Sequence, residues 1–293
     1  MPLFGVSLHA HVVFEVLAYA LAFRVYLARK RRFGDPLAPE TRWLLVAAAA
    51  VGAAIGSKLL SWFVYPAALA EHAGDVRWLM QQKTIVGAIL GGWIAVEFAK
   101  HKAGVATRTG DLFAVPLCVG IAVGRVGCFL AGLDDRTFGS PSALPWAIDF
   151  GDGVARHPVQ LYESAFALLL AVVLHRREGL LHAERARAIE ATSVSGLERE
   201  GVDARATAPG SVFRAFLAAY FAFRVAVDFL KPVPTFAGLG TLQWASLAAL
   251  AWIAWPSLAR WLRARRGAVE SHGGGPARAE RVGRAETTQE RTT

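Results

Sequence analysis

One apolar stretch decides the fold: Leu112-Phe-Ala-Val-Pro-Leu-Cys-Val-Gly-Ile-Ala-Val-Gly-Arg-Val-Gly-Cys-Phe-Leu-Ala-Gly132. As a helix rising 1.5 Å per residue, it is long enough to cross the roughly 30 Å hydrocarbon core of a bilayer. Its single charged residue is Arg125. A charge at that depth costs roughly 2.5 to 3.5 kcal/mol even on lenient insertion scales, so it requires a partner or a function. The surroundings of Arg125 are therefore the place to look for a site.

The composition assigns the whole chain to a class. Of its 293 residues, 54% are apolar and only 19% are charged, which is too apolar for an ordinary soluble domain. We predict an all-α, polytopic integral membrane protein with seven transmembrane helices. The membrane domain covers 1–266, and its predicted spans are 9–28, 43–66, 84–99, 111–132, 159–175, 211–230 and 238–258.

The basic residues predict the orientation. The net charge is +9, but the basic clusters follow apolar segments and are not interleaved with stacking aromatic residues, so nucleic acid is not expected as a partner. The clusters after the first, third, fifth and seventh predicted helices fall on one side, which places the N-terminus outside and the C-terminus in the cytoplasm. We further predict a cytoplasmic loop at 176–210 and a disordered cytoplasmic tail at 267–293.

Four ionisable residues are predicted to converge at one membrane depth. Arg224 and Asp228 stand at i, i+4 on the sixth helix, and Glu163 begins the fifth, level with Arg125 on the fourth. One interpretation is a buried ion-pair network that only locks helices together. The other is a binding site, because arginine suits bidentate capture of phosphate. A phosphate at the outer leaflet belongs to a phospholipid headgroup.

The outer-face loop at 133–158 lies next to these charges. It is polar, is shaped by glycine and proline, and carries Asp134, Asp135 and His157. Functional residues are concentrated on such loops when a rigid scaffold positions them. We therefore expect the loop to border the site.

The remaining polar and small residues receive structural interpretations first. The two cysteines, Cys118 and Cys128, exclude a disulfide framework and a multi-cysteine metal site, and no metal is expected. Cys128 is interpreted as a small apolar side chain, and His11 as an interface residue and not a ligand. Gly87 indicates close helix packing, although it would also let a lipid chain approach the backbone.

Several motifs carry a family resemblance. The segments 124–132, Pro145-Trp146 and Arg156-His-Pro-Val-Gln-Leu-Tyr-Glu163 resemble, in order and spacing, the signature region of bacterial prolipoprotein diacylglyceryl transferases. The sixth-helix segment Tyr220-Phe-Ala-Phe-Arg-Val-Ala-Val-Asp228 and the segment Gln243-Trp-Ala-Ser246 are similar to two further motifs of that family.

The resemblance implies an activity and its partners. The family moves a diacylglyceryl group from phosphatidylglycerol, an anionic glycerophospholipid, to the cysteine thiol of a prolipoprotein signal peptide, at the outer face of the bacterial inner membrane. No cofactor is expected. Arg125 and Arg224 match the family's two key arginines and would stabilise the charge on the departing glycerol phosphate.

The resemblance also implies a set of site residues, with departures. Val86 stands where the family has a histidine, Asp228 replaces a longer glutamate, and Cys128, Ala131 and Leu133 replace Asn, Asn and Glu. The candidate catalytic residues are Arg125 and Arg224, with His157, Asp134 and Asp135 as candidate bases. The candidate substrate-binding residues are Gly124, Gly127, Cys128, Gly132, Tyr162, Glu163, Asp228 and Gly87.

Two alternatives to this activity stay open from the sequence. The chain could use another acceptor. Alternatively, it could be a phospholipid-binding paralogue that kept the headgroup-binding residues without turnover, which the absence of a histidine at Val86 favours. A transporter would predict inverted internal repeats, and the sequence contains no internal repeat.

Overall fold

The computed structural model describes residues 2–3, 6–7, 10–195 and 210–273. The part of the predicted cytoplasmic loop from 196 to 209 and the part of the predicted tail from 274 onward lie outside the described residues. Residues up to Leu250 form one compact unit, and a second unit begins at Ala251.

The described chain is mostly helical, as predicted. Each of the seven predicted spans overlaps one long helix. Within the described residues, four helical stretches are long and apolar enough to cross a membrane, judged by length and composition: His11–Phe33, Pro39–Trp62, Asp111–Asp135 and Val159–Glu184. The α-helices are α1 Ala10–Phe33, α2 Pro39–Trp62, α3 Pro66–His72, α4 Val76–Gln81, α5 Ile85–Lys102, α6 Asp111–Ala131, α7 Val159–Ser195, α8 Ser211–Val227 and α9 Thr241–Gly273.

Short elements lie between and after these helices. Two 3-10 helices, Gly132–Asp135 and Asp228–Leu230, continue directly from α6 and α8. Three two-stranded antiparallel hairpins are described. Their strands are β1 Pro2–Leu3 with β2 Val6–Ser7, β3 Ile148–Asp149 with β4 Ala155–Arg156, and β5 Thr235–Phe236 with β6 Leu239–Gly240.

The pair α2 and α5 packs backbone against backbone. A Cβ placed on Gly87 would lie 2.3 Å from the carbonyl oxygen of Gly56, and one on Gly91 would lie 2.2 Å from that of Gly52. These four glycines therefore allow a helix contact that any side chain would prevent. The predicted packing role of Gly87 is thereby explained.

Asp111 joins the starts of α6 and α8. Its carboxylate accepts hydrogen bonds from the backbone N–H groups of Gly210 at 2.6 Å and Phe213 at 2.8 Å, which satisfies free donors at the start of α8. Because both helices begin at this point, they run in the same direction. At 1.5 Å per residue, Arg125 and Arg224 each lie roughly 20 Å along their helix from this shared start.

Arg29, near the end of α1, is bound at the same place. Its guanidinium donates to the carbonyl oxygens of Leu112 at 3.3 Å and Asp111 at 3.4 Å, and it is paired with Glu178 of α7. The end of α1 therefore meets the starts of α6 and α8, so α1 runs antiparallel to both. The basic end of α1 therefore lies at one end of these helices, and Arg125 on α6 and Arg224 on α8 lie toward the other end.

Candidate active site

Arg125 is the first cation of the site. It lies on α6, its residue surface is only 6% exposed, and its Nε is paired with Oε2 of Glu163 on α7. Its Nη1 lies 3.8 Å from Sγ of Cys128, one helical turn further along α6. The intramembrane arginine thus has an acidic partner on a neighbouring helix.

Arg224 is the second cation and shares that partner. Its residue surface is 2% exposed. Its Nη1 donates to Oε1 of Glu163 at 2.6 Å, and its Nη2 donates to Oδ1 of Asp228 at 2.5 Å. Glu163 therefore lies between the guanidiniums of Arg125 and Arg224. We call these two arginines with Glu163 the arginine clamp.

Lys231 is a third cation, and the sequence did not predict it. It follows the 3-10 helix that ends α8, and its Nζ donates to Oε1 of Glu163 at 2.7 Å and lies 3.7 Å from Oδ1 of Asp228. Burial, reinforced by the positive charge of Arg224, lowers the pKa of Lys231 to about 8, although Glu163 opposes the shift. Its position three residues after Asp228 was the only signal in the sequence.

The charges and hydrogen-bonding groups at this site are incompletely matched. Three cationic side chains surround two carboxylates, which leaves one excess positive charge when Lys231 is protonated. Several buried polar atoms have no hydrogen-bond partner within the described residues: Arg224 Nε, Asp228 Oδ2, Tyr220 Oη, and both amide atoms of Gln160. Buried groups of this kind are normally hydrogen-bonded. The donors among them, Arg224 Nε, Tyr220 Oη and Gln160 Nε2, suit an anionic ligand rich in oxygen atoms.

The loop at 133–158 reaches the same site through backbone contacts. The N–H of Ser140 donates to the carbonyl oxygen of Leu230 at 2.7 Å, and the N–H of His157 donates to that of Ser140 at 3.1 Å. His157 is half-buried, and its Nδ1 lies 3.4 Å from the hydroxyl of Tyr162, which accepts from Trp146 Nε1 at 2.7 Å. Tyr162 precedes Glu163, so this polar cluster borders the arginine clamp.

The two candidate aspartate bases lie in different surroundings. Asp134 is exposed. Asp135 accepts from the Thr137 hydroxyl at 2.6 Å and lies 3.1 Å from Nδ1 of His11 on α1. The structure therefore places the three candidate bases apart, with His157 beside Tyr162 and Asp135 beside α1.

Comparisons with known proteins decide the family. A family model described as prolipoprotein diacylglyceryl transferase matches residues 1–259. The chain belongs to the prolipoprotein diacylglyceryl transferase family. The resemblance identified in the sequence is thereby confirmed.

Individual relatives agree with this family, and each is named phosphatidylglycerol-prolipoprotein diacylglyceryl transferase. The chain is 30% identical to the protein from Zymomonas mobilis over 176 residues, which cover 57% of this chain and 61% of that relative. It is 28% identical to the Bordetella parapertussis protein over 256 residues, which cover 82% and 86% of the two chains. The Methylobacillus flagellatus protein is 30% identical over 208 residues, covering 68% and 69%. The match thus spans about three fifths of the first relative's length and most of the second's.

The glycines of this prolipoprotein diacylglyceryl transferase family member lie in helix contacts. A Cβ on Gly127 would lie 2.5 Å from Cβ of Phe14, and one on Gly124 would lie 4.0 Å from Cβ of Ala18, both on α1. Gly132 ends α6 with a φ of +63°, a conformation that glycine adopts without strain. The close contact explains Gly127 and the positive φ explains Gly132, whereas the space beside Gly124 would admit a Cβ. A role of these three glycines in lipid binding stays a prediction.

A buried apolar residue, Val86, stands in this family member where the resemblance places a histidine. Val86 is the second residue of α5 and is 1% exposed. It offers no proton acceptor where the family resemblance places a histidine. Any base that this chain uses must therefore come from another position.

Proposed function

We propose that the protein transfers the diacylglyceryl group of phosphatidylglycerol to the cysteine thiol of a prolipoprotein signal peptide and releases glycerol phosphate. One observation carries the proposal: two buried guanidiniums from different helices, Arg125 and Arg224, share the single carboxylate of Glu163. The family membership and the names of the relatives support the same substrates.

The arginine clamp suits the phosphodiester of the lipid headgroup. Planar guanidiniums bind phosphate oxygens in bidentate fashion, and a phosphate would replace part of the Glu163 carboxylate as their partner. The excess positive charge, to which Lys231 contributes, favours an anionic headgroup over a zwitterionic one. The free hydrogen-bonding atoms of Gln160 and Tyr220 supply further partners for headgroup oxygens.

The reaction places its developing charge at the clamp. The sulfur of the acceptor thiolate forms a bond to the diacylglyceryl carbon that bears the phosphate. The bond from that carbon to the phosphate oxygen breaks. The electron pair leaves with glycerol phosphate, whose charge rises as the bond breaks. Arg125 and Arg224 stabilise this charge most strongly in the transition state, which is where binding energy accelerates a reaction.

His157 is our candidate for the group that accepts the thiol proton. His157 is half-buried, and its Nδ1 lies 3.4 Å from the hydroxyl of Tyr162. Tyr162 precedes Glu163 on α7, so His157 lies close to the arginine clamp. Asp134 is exposed, and Asp135 is directed to His11. An acceptor thiol with a pKa near 8.5 needs only modest help to ionise.

We also propose the topology that this chemistry requires. The seven long helices span the bacterial inner membrane as a multi-pass domain over 1–266, with the N-terminus outside and the C-terminus in the cytoplasm. Residues 267–273 of the predicted tail continue α9 and so are not disordered as the sequence predicted. The contacts of Arg29 and Asp111 support this arrangement, because they collect the end of α1 and the starts of α6 and α8 at one end. The arginine clamp then lies toward the outer face.

Purified protein tests the proposal directly. We expect incubation with phosphatidylglycerol and a lipobox peptide to increase the peptide mass by one diacylglyceryl group and to release glycerol phosphate. A peptide with serine in place of the cysteine is the matched control. If no product forms under conditions in which the Bordetella relative is active, the proposed activity is wrong.

A second candidate function follows from Val86. The apolar, buried residue at this position favours a phospholipid-binding protein without turnover. That candidate predicts phosphatidylglycerol binding that depends on Arg125 and Arg224, without any glycerol phosphate. Measuring binding and product in one preparation separates the two candidates.

A further inference from the structure

Three side chains of the kinds that bind metal ions lie close together beside the arginine clamp. They are His11 from α1, Cys128 from α6 and Asp135 from the 3-10 helix after α6, and their ligand atoms all lie within 4.8 Å of one another. We propose that these three residues, here called the His11 cluster, bind a Zn²⁺ ion. This inference goes beyond the proposed transferase activity and does not depend on it.

The ligand set selects the ion by its chemistry. A thiolate, an imidazole and a carboxylate together are typical of Zn²⁺, whereas Mg²⁺ and Ca²⁺ take oxygen ligands. Three protein ligands leave a fourth tetrahedral position for water or another donor. His11 and Cys128, which the sequence suggested were an interface residue and an apolar filler, acquire this chemistry only because α1 packs against α6.

Outer groups already orient two of the ligands. Nε2 of His11 lies 3.5 Å from a carboxylate oxygen of Glu15, one turn along α1, and Glu15 is held by Nζ of Lys83 at 2.9 Å. The Thr137 hydroxyl donates to the second oxygen of Asp135 at 2.6 Å. Metal-binding histidines are commonly oriented by a carboxylate at the other ring nitrogen, and this arrangement leaves Nδ1 of His11 facing Asp135.

The electrostatic balance and the access both permit an ion. Arg125 lies 3.8 Å from the sulfur of Cys128 and opposes a cation, but its own charge is paired with Glu163. The Cys128 thiolate and Asp135 supply two negative charges, which equal the charge of Zn²⁺, while Glu15 is paired with Lys83. The side chains of His11 and Asp135 are 23% and 12% exposed, so an ion can enter from that side.

Cys118 provides a matched comparison on the same helix. It is buried like Cys128, with 1% of its surface exposed. Within the described residues, the His11 cluster is the only group of three or more metal-ligating side chains of this spacing. A zinc site that depends on Cys128 and not on Cys118 would therefore identify this cluster.

Cobalt and zinc are the probes for the test. We expect the purified full chain in detergent to retain one equivalent of Zn²⁺ after dialysis. We also expect Co²⁺ to give the near-ultraviolet thiolate-to-metal absorption of a cysteine ligand. Cys128→Ser and His11→Gln should each abolish both signals, and Glu15→Gln should weaken Zn²⁺ binding by roughly 10- to 100-fold. Cys118→Ser and His72→Gln, at a histidine outside the cluster, should leave both unchanged.

Two outcomes would overturn the proposal. One is wild-type protein without the thiolate absorption, and the other is zinc content that survives both Cys128→Ser and His11→Gln. If Cys128→Ser fails to fold, alkylation of the wild type decides. Zn²⁺ should then protect Cys128, mapped by mass spectrometry, from a thiol reagent. Equal labelling with and without Zn²⁺ would contradict the site.

Discussion

Glu163 and Arg224 form a fully buried ion pair, with Oε1 and Nη1 2.6 Å apart, although 61 residues separate them in the sequence. The same carboxylate partners Arg125 and Lys231. Glu163 thus holds together three cations that would otherwise repel one another, near the ends of α6 and α8 and the start of α7. The energetics of the site depend on this one side chain.

Removing the charge of Glu163 should destabilise the fold. Glu163→Gln leaves two buried guanidiniums with one fewer anionic partner, and breaking a buried pair of this kind typically costs about 3 to 5 kcal/mol. We expect a lower midpoint in thermal unfolding of the detergent-solubilised protein. Glu71→Gln, at an exposed position, is the control. Equal midpoints for the two variants would show that Glu163 is not structurally important.

Replacing either arginine of the clamp should abolish catalysis more than folding. Removing a group that stabilises transition-state charge costs about 100- to 1,000-fold in kcat, so we expect a loss of at least this size for Arg125→Ala and Arg224→Ala. Arg224→Lys should also be poor, because lysine lacks the bidentate fork. The measurement is glycerol phosphate release at saturating lipid. The exposed Arg77→Ala should retain the wild-type rate, and wild-type rates in both clamp variants would refute the phosphate role.

Lys231 should make headgroup binding depend on pH. Because its pKa is about 8, it loses its positive charge as the pH rises through 8, and affinity for phosphatidylglycerol should fall over that range. The charged groups that face Lys231 are Arg224, Glu163, Arg125 and Asp228. Lys231→Met should bind more weakly at pH 7 and lose this pH dependence. A wild-type profile that is flat from pH 7 to 9 would contradict the prediction.

The same lowered pKa has a consequence for stability, with a definite sign. The pKa of Lys231 is about 8 in the folded protein, against an ordinary value of 10.5. Between these two pH values the unfolded chain therefore binds more protons than the folded protein. The free energy of unfolding should therefore rise with pH across that window and should be lowest below it. Comparing the slope in wild type and in Lys231→Met isolates this contribution, which should vanish in the variant.

The glycine contact between α2 and α5 should tolerate no added methyl group. A Cβ on Gly87 would lie 2.3 Å from a backbone oxygen that cannot move independently, so Gly87→Ala should cost about 1 to 3 kcal/mol of stability. Gly179→Ala on α7 is the matched control, since nothing lies within 4 Å of its Cβ position. That helical substitution should be neutral or stabilising. A larger loss in Gly179→Ala than in Gly87→Ala would reject this account of the packing.

The sequence was sufficient for what depends on local pattern. Apolar length predicted the long helices, and the spacing of Arg224 and Asp228 on one helix face predicted their contact. The predicted spans ended early on α7, which continues to Ser195. Its Glu178 lies beyond the predicted span and is held by Arg29 of α1, a contact that no local pattern reveals.

Other features depend on how distant segments return. Lys231 reaches Glu163 because a 3-10 turn follows α8, and Asp135 reaches His11 because α1 packs against α6. The short helices α3 and α4 were also missed. α4 is held by Trp62 of α2, whose Nε1 donates to the carbonyl oxygen of Leu79 at 3.1 Å. Tertiary contacts of this kind leave no periodic signal in the sequence.

Asp111 serves as a common origin from which the depth of both arginines is measured. One residue inserted into α6 between Asp111 and Arg125 would turn that guanidinium by about 100° and advance it by about 1.5 Å, while Arg224 stayed in place. The two cations would then no longer face the same carboxylate. The stretches from Asp111 to Arg125 and from Gly210 to Arg224 therefore have matched lengths, and an insertion into only one of them would separate the two guanidiniums.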